Sequence, residues 1–141
     1  MKMALGLAGR RLGKTFPNPA VGAVIVKNGR VVGRGYHEKS GKPHAEIIAL
    51  KDAGRRSAGA ELFVTLEPCC HAKKKTPPCV GPILKSGIRK IHVAMKDPNP
   101  LVSGKALKIL RKSGIEVVLG QCAEEAANLN IIYTEYIKRK K

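Results

Sequence analysis

The sequence predicts an α/β protein, a three-layer α/β/α sandwich around a mixed five-stranded sheet. Three observations carry this. Short β-rich runs alternate with helical stretches in the order α-β-β-α-β-α-β-α-β-α. The first two strands meet at Asn28-Gly29, a strong two-residue hairpin signal, so they pair antiparallel. Each later strand is reached through a helix, the connection that parallel neighbours require and that places helices on both faces. At 141 residues and 43% hydrophobic, the chain is long enough for one real core and is read as one domain over residues 1–141.

Residues 3–12 carry Met3, Ala4, Leu5, Leu7, Ala8 and Leu12 in a nearly helical stripe ended by Gly13. Residues 15–19 (TFPNP) are irregular, because Pro17 and Pro19 flank Asn18 and push their neighbours extended. Residues 20–27 and 30–36 are the hairpin strands. After a loop with Gly41 and Pro43, residues 44–54 read as a helix with Ala45, Ile48 and Ala49 on one side. Strands follow at 61–66, 90–95 and 115–119. Helices are expected at 78–87, with Pro near the first turn and Gly at the end, at 105–113 before Gly114, and at 123–137.

Composition narrows the function. Aromatics are only 4% and Trp is absent, so the core must be aliphatic. No apolar run reaches the roughly 18 residues of a membrane span. The first twelve residues are interrupted by Arg10 and Arg11 and lack a small-residue cleavage site, so they read as an amphipathic helix and the expected location is the cytoplasm. The formal net charge is +17. That balance suits a polyanion or a phosphorylated substrate; a merely well-solvated surface is the alternative. Adjacent Cys69 and Cys70, with Cys79 and Cys122, do not resemble a disulfide framework, and metal binding is the better reading.

Chemistry concentrates in two pieces: Pro43-His44-Ala45-Glu46, and Thr65–His71 (TLEPCCH) closed by Pro77-Pro78-Cys79. One imidazole and two thiolates fill three corners of a tetrahedral zinc site, and a fourth corner left for water marks a catalytic site. His44, Cys69 and Cys79 are the candidate ligands and Zn2+ the expected cofactor. Glu46, two residues past His44 and in the same first helical turn, is placed to carry protons for that water. Cys79 is expected in the first turn of its helix, where thiolate is favoured. Cys70 is the competing ligand, Cys122 is read as packing, and His92, within a strand, as structural.

The spacing His44-Ala45-Glu46 followed by Pro68-Cys69 and Cys79 resembles the zinc-dependent nucleoside and nucleobase deaminases, whose signature pairs such ligands with a non-ligand Glu. The nine residues between the cysteines exceed that signature's short gap. With TFPNPAVGAVIV (15–26), Gly35-Tyr36-His37, TLEPCCH (65–71), TPPC (76–79), MKDPNPLVSG (95–104) and Leu129-Asn130, the chain resembles the pyrimidine deaminases of bacterial riboflavin biosynthesis along nearly its whole length. Its inter-cysteine interval is one residue longer than is usual there, and Ala72-Lys73-Lys74-Lys75 replaces a Gly-containing stretch.

The resemblance implies a cytidine deaminase-like fold and hydrolysis of the ring amino group of a diaminohydroxypyrimidine bearing a phosphorylated ribosylamino arm. It implies substrate contacts at Asn18, His37 and His71, phosphate contacts at Lys75 and Thr76, and a far wall at Asp97, Asn99 and Ser103. Each of these loop residues could also serve turn architecture alone. A homo-oligomer is implied, as is a reductase domain or protein acting with the deaminase, with no reductase domain in this chain. A nucleic-acid deaminase of the same fold is the rival reading. The net charge favours it, but the chain is poor in aromatics for stacking bases. A non-catalytic domain holding a structural zinc would be expected to lack the proton-carrying Glu46.

Overall fold

The computed structural model describes residues 1–70 and 78–139. A five-stranded sheet runs in the order β2-β1-β3-β4-β5. Its strands are β1 (Gly22–Lys27), β2 (Arg30–Tyr36), β3 (Glu61–Val64), β4 (Lys90–Val93) and β5 (Glu116–Leu119). β1 pairs antiparallel with β2 and with β3, and β3, β4 and β5 run parallel, so the sheet is mixed as expected. The hairpin closes at Asn28 and Gly29, with φ of 51° and 76°, the paired positive values of a type I′ turn. A bulge between Ile25 and Val26 shifts the register there.

Side chains alternate across the sheet and sort into two cores. Ala23, Ile25, Leu62, Val64, Ile91 and Val93 face helices α2 (Ala45–Ala53), α3 (Val80–Lys85) and α4 (Lys105–Lys112). Val24 points the other way, against Ala4 and Leu7 of α1 (Lys2–Gly9). α5 (Ala123–Leu129) adjoins α1, and α6 (Ile131–Arg139) follows it. Burying each large aliphatic of the first core stabilises the fold by about 1.5–3 kcal/mol.

Helix α2 lies unusually close to the sheet, and the sequence explains why. Ala45, Ala49 and Ala53, four residues apart, are all buried. They sit over Gly33 and Gly35 of β2. A Cβ on Gly33 would collide with the carbonyl oxygen of Ala49, and one on Gly35 with that of Ala45. An alanine stripe on a glycine stripe therefore brings the start of α2 down onto the sheet end.

Several boundaries differ from those the sequence suggests. α1 stops at Gly9 and continues as tighter turns, with Arg11 N–H on Ala8 O and Leu12 N–H on Gly9 O. Pairing outlasts the regular part of β3 and β4, since Ala94 N–H reaches Val64 O and Glu67 N–H reaches Met95 O. The helix expected over 123–137 is two helices broken at Asn130, where the backbone turns to φ −110° and ψ 27°. The helix expected from Pro78 starts at Val80, with Cys79 at its N-cap rather than in its first turn. No described helix is long and apolar enough to cross a membrane.

Candidate metal centre and cleft

The site forms beyond the carboxyl ends of β3 and β4, where open α/β sheets present their binding crevices. Two helix starts point into it. His44 is the N-cap of α2 in extended backbone, φ −74° and ψ 160°. Glu46 follows in the first turn and is 3% exposed. Cys79 is the N-cap of α3, and the Cys69 segment continues from β3.

Backbone bonds bring the two cysteines together. Cys79 N–H donates to Cys69 O at 3.1 Å and also lies 3.2 Å from Cys69 Sγ, while Val80 N–H donates to the same carbonyl at 3.3 Å. The long interval between them is therefore closed at its neck. His44 Nδ1 stands 3.2 Å from Cys79 Sγ and 3.4 Å from Cys69 Sγ. All three donor atoms lie within 4.8 Å of one another, the one such group of three among the described residues.

These distances test the zinc reading. Tetrahedral coordination with Zn–S near 2.3 Å and Zn–N near 2.0 Å places nitrogen and sulfur donors about 3.5 Å apart. The observed separations match that, and the donor types are those zinc prefers, so the residues fit the ion. Hydrogen bonding from Cys79 holds the Cys69 thiol down to about 4 against the opposing effect of burial, with His44 helping. Cys69 is thus readily the thiolate that binds metal. Cys70 differs: burial pushes its thiol up, and the charges of Glu67 and Cys69 add to this. It lies outside the three-donor group.

A cleft of about 380 Å³, open to solvent, lies against the centre. Asn18, His37, His44, Glu46, Cys69 and Asp97 all line it. Asn18 is held in a tight turn, its N–H on Thr15 O at 2.8 Å and its carbonyl accepting from Thr15 Oγ1 at 2.9 Å. The buried His37 is fixed from both sides. Its Nδ1 lies 3.1 Å from Pro43 O, which can only accept, so this nitrogen carries the proton. Nε2 then accepts from the Asn18 amide at 3.2 Å. The His37 and His44 rings meet edge to face at 5.1 Å.

Other expected contacts fall elsewhere. Asn99 spends its side-chain oxygen on Leu101 N–H at 3.0 Å, and its carbonyl accepts from Ser103 N–H at 2.9 Å. Ser103 is exposed, and neither residue lines the cleft. His71, Lys75 and Thr76 lie outside the described residues.

One buried carboxylate in the cleft wall had no role from the sequence. Glu67 Oε1 accepts from Asp97 N–H at 3.1 Å and Gly104 N–H at 2.8 Å, and Oε2 accepts from Ala106 N–H at 3.0 Å. It thereby caps α4 from outside and ties the 97–104 loop to the segment bearing Cys69. Its position inside TLEP marks it as part of the motif, but only the fold brings its three donors to it.

Comparison with known proteins agrees with this geometry. The family profile of the cytidine and deoxycytidylate deaminase zinc-binding region matches residues 1–95. The riboflavin biosynthesis protein RibD of Aquifex aeolicus is 56% identical over all of this chain, which spans 39% of that protein's length. A solved Thermotoga maritima structure, described as a diaminohydroxyphosphoribosylaminopyrimidine deaminase/5-amino-6-(5-phosphoribosylamino)uracil reductase, superposes with a TM-score of 0.91 at 44% identity, covering 100% of this chain and 41% of that one. The Aspergillus oryzae Rib2 deaminase, a C-terminal deletion mutant, superposes at 0.78 with 25% identity, covering 99% and 92%.

Proposed function

This chain belongs to the cytidine and deoxycytidylate deaminase zinc-binding family, and we propose that it hydrolyses the ring amino group of the phosphorylated diaminohydroxypyrimidine of riboflavin biosynthesis. The observation that carries the reaction class is the convergence of His44, Cys69 and Cys79, with His44, Cys69 and the buried Glu46 lining one cleft. The substrate rests on the relatives, which are riboflavin enzymes that this chain matches along its length.

His44, Cys69 and Cys79 would hold the zinc. When bound, the ion supplies Lewis acidity that brings the pKa of a water molecule toward about 7. Glu46 takes one proton of the attacking water and delivers it to the ring nitrogen, then carries the second, from the hydroxyl added to the ring carbon, to the departing amino group. One C–N bond breaks, a C=O bond forms, water is consumed and ammonia leaves, with no change of oxidation state. Burial of Glu46 keeps bulk water from competing for the proton it carries. Asn18 and His37, locked to each other, orient the ring, and Asp97 faces the ribosylamino arm. Contact with the phosphate is assigned to Lys75 and Thr76. The product is the substrate of a reductase, which in the Thermotoga protein is named together with the deaminase. The setting is cytoplasmic.

The test is ammonia release from the phosphorylated diaminopyrimidine and from transfer RNA, each with and without a chelator. Chelator-sensitive release from the pyrimidine is expected. Release from RNA alone would overturn the substrate.

A further inference from the structure

Asp97 in the cleft wall is held from behind by α6, an element with no residue among those lining the cleft. Asp97 is 4% exposed and faces the cleft with Glu46 and His37. Its Oδ1 accepts from the Tyr133 hydroxyl at 3.0 Å and from Asn99 N–H at 2.9 Å. We propose that Tyr133 is a positioning residue of the deaminase site, acting through Asp97 to fix the carboxylate that faces the substrate. This rests on the function proposed above.

Three observations converge on it. First, two donors on one oxygen fix the plane of the carboxylate, and the Tyr133 bond reaches it from 36 residues further along the chain. Second, burial and the Asp97 charge push the Tyr133 phenol far above its ordinary pKa, so it stays protonated and donates throughout the physiological range. Third, Tyr133 does not act alone. Asn130, three residues earlier and therefore on the same side of the helix start, bonds both the N–H and the carbonyl of Ala20 at 2.8 Å. Ala20 is two residues past Asn18. The first turn of α6 therefore reaches behind both substrate-facing walls at once.

A merely stabilising tyrosine and a positioning one differ in what a second substitution does. Tyr133→Phe keeps the ring and removes only the donor. With zinc loaded, its KM for the phosphorylated pyrimidine is expected to rise about tenfold while kcat changes less. In an Asp97→Ala background the same substitution should change nothing further, because the partner it acts through is gone. Amide exchange at Asn99, which shares the Asp97 oxygen, should quicken in Tyr133→Phe, with exchange at Cys79 and zinc content unchanged. An unaltered KM in an active enzyme, or effects that multiply independently in the double variant, would overturn the inference. If the wild-type protein is silent on the pyrimidine, the substrate reading fails by itself. The exchange measurement then still decides, and unchanged exchange at Asn99 sinks the positioning role.

Discussion

Asn130 and Ala20 are 110 residues apart and are joined by a single side chain acting as both donor and acceptor. The Asn130 amide nitrogen donates to the Ala20 carbonyl and its oxygen accepts from the Ala20 N–H, both at 2.8 Å and both buried. This side chain does for the Asn18 loop what a strand partner would do for a strand. Asn130→Ala leaves both groups of the Ala20 peptide unpaired in the interior. The expected loss is about 2–4 kcal/mol, measured by urea unfolding with an unchanged m-value.

Glu67 presents a second buried junction. Three backbone N–H groups share its carboxylate, and one of them belongs to the first turn of α4. Glu67→Gln keeps the shape but removes the charge and one acceptor. Stability should fall by about 1.5–3 kcal/mol, read by thermal melting, with zinc content retained.

The ligand set is tested by metal content. Cys69→Ser and Cys79→Ser should each lose bound zinc during purification, because each removes one of three converging donors. Cys70→Ser should hold its metal, since its thiol lies outside that group and burial disfavours its thiolate. Zinc retained by Cys79→Ser and lost by Cys70→Ser would reverse the assignment.

Glu46 separates metal binding from catalysis. Glu46→Gln is expected to bind zinc normally and to lose turnover by about a hundredfold to ten-thousandfold, the usual contribution of a positioned proton carrier. Steady-state ammonia release alongside metal analysis gives both readouts on one sample.

Gly35 tests the seating of α2. A methyl group there would meet the Ala45 carbonyl directly. Gly35→Ala must lift the helix start that bears His44 and Glu46. It should cost about 1–3 kcal/mol and weaken zinc retention as well, whereas alanine at the exposed Gly81 of α3, with open space around it, should do neither.

The alternation of helices and strands was legible because each element carries its own period, and Asn28-Gly29 announced the hairpin. The break at Asn130 was not, because apolar periodicity continues through it and the asparagine is held by a residue 110 positions away. His44, Cys69 and Cys79 stood out as candidates because each scarce residue directly follows a proline, and Glu46 because it lies two residues past His44 in one helical turn. Tyr133 and Glu67 were not, since what they do depends on partners 30 to 39 residues away. Asn99 shows the opposite case. Its side-chain oxygen accepts from the N–H two residues on, a local turn bond that sequence spacing alone already suggests.

The bonds from Cys79 and Val80 to the Cys69 carbonyl have a consequence for how such enzymes can diverge. They fix the two ends of the inter-cysteine interval against each other independently of what lies between. The spacing of Cys69 and Cys79 is thereby set by main-chain bonds, the part of the chain least altered by substitution.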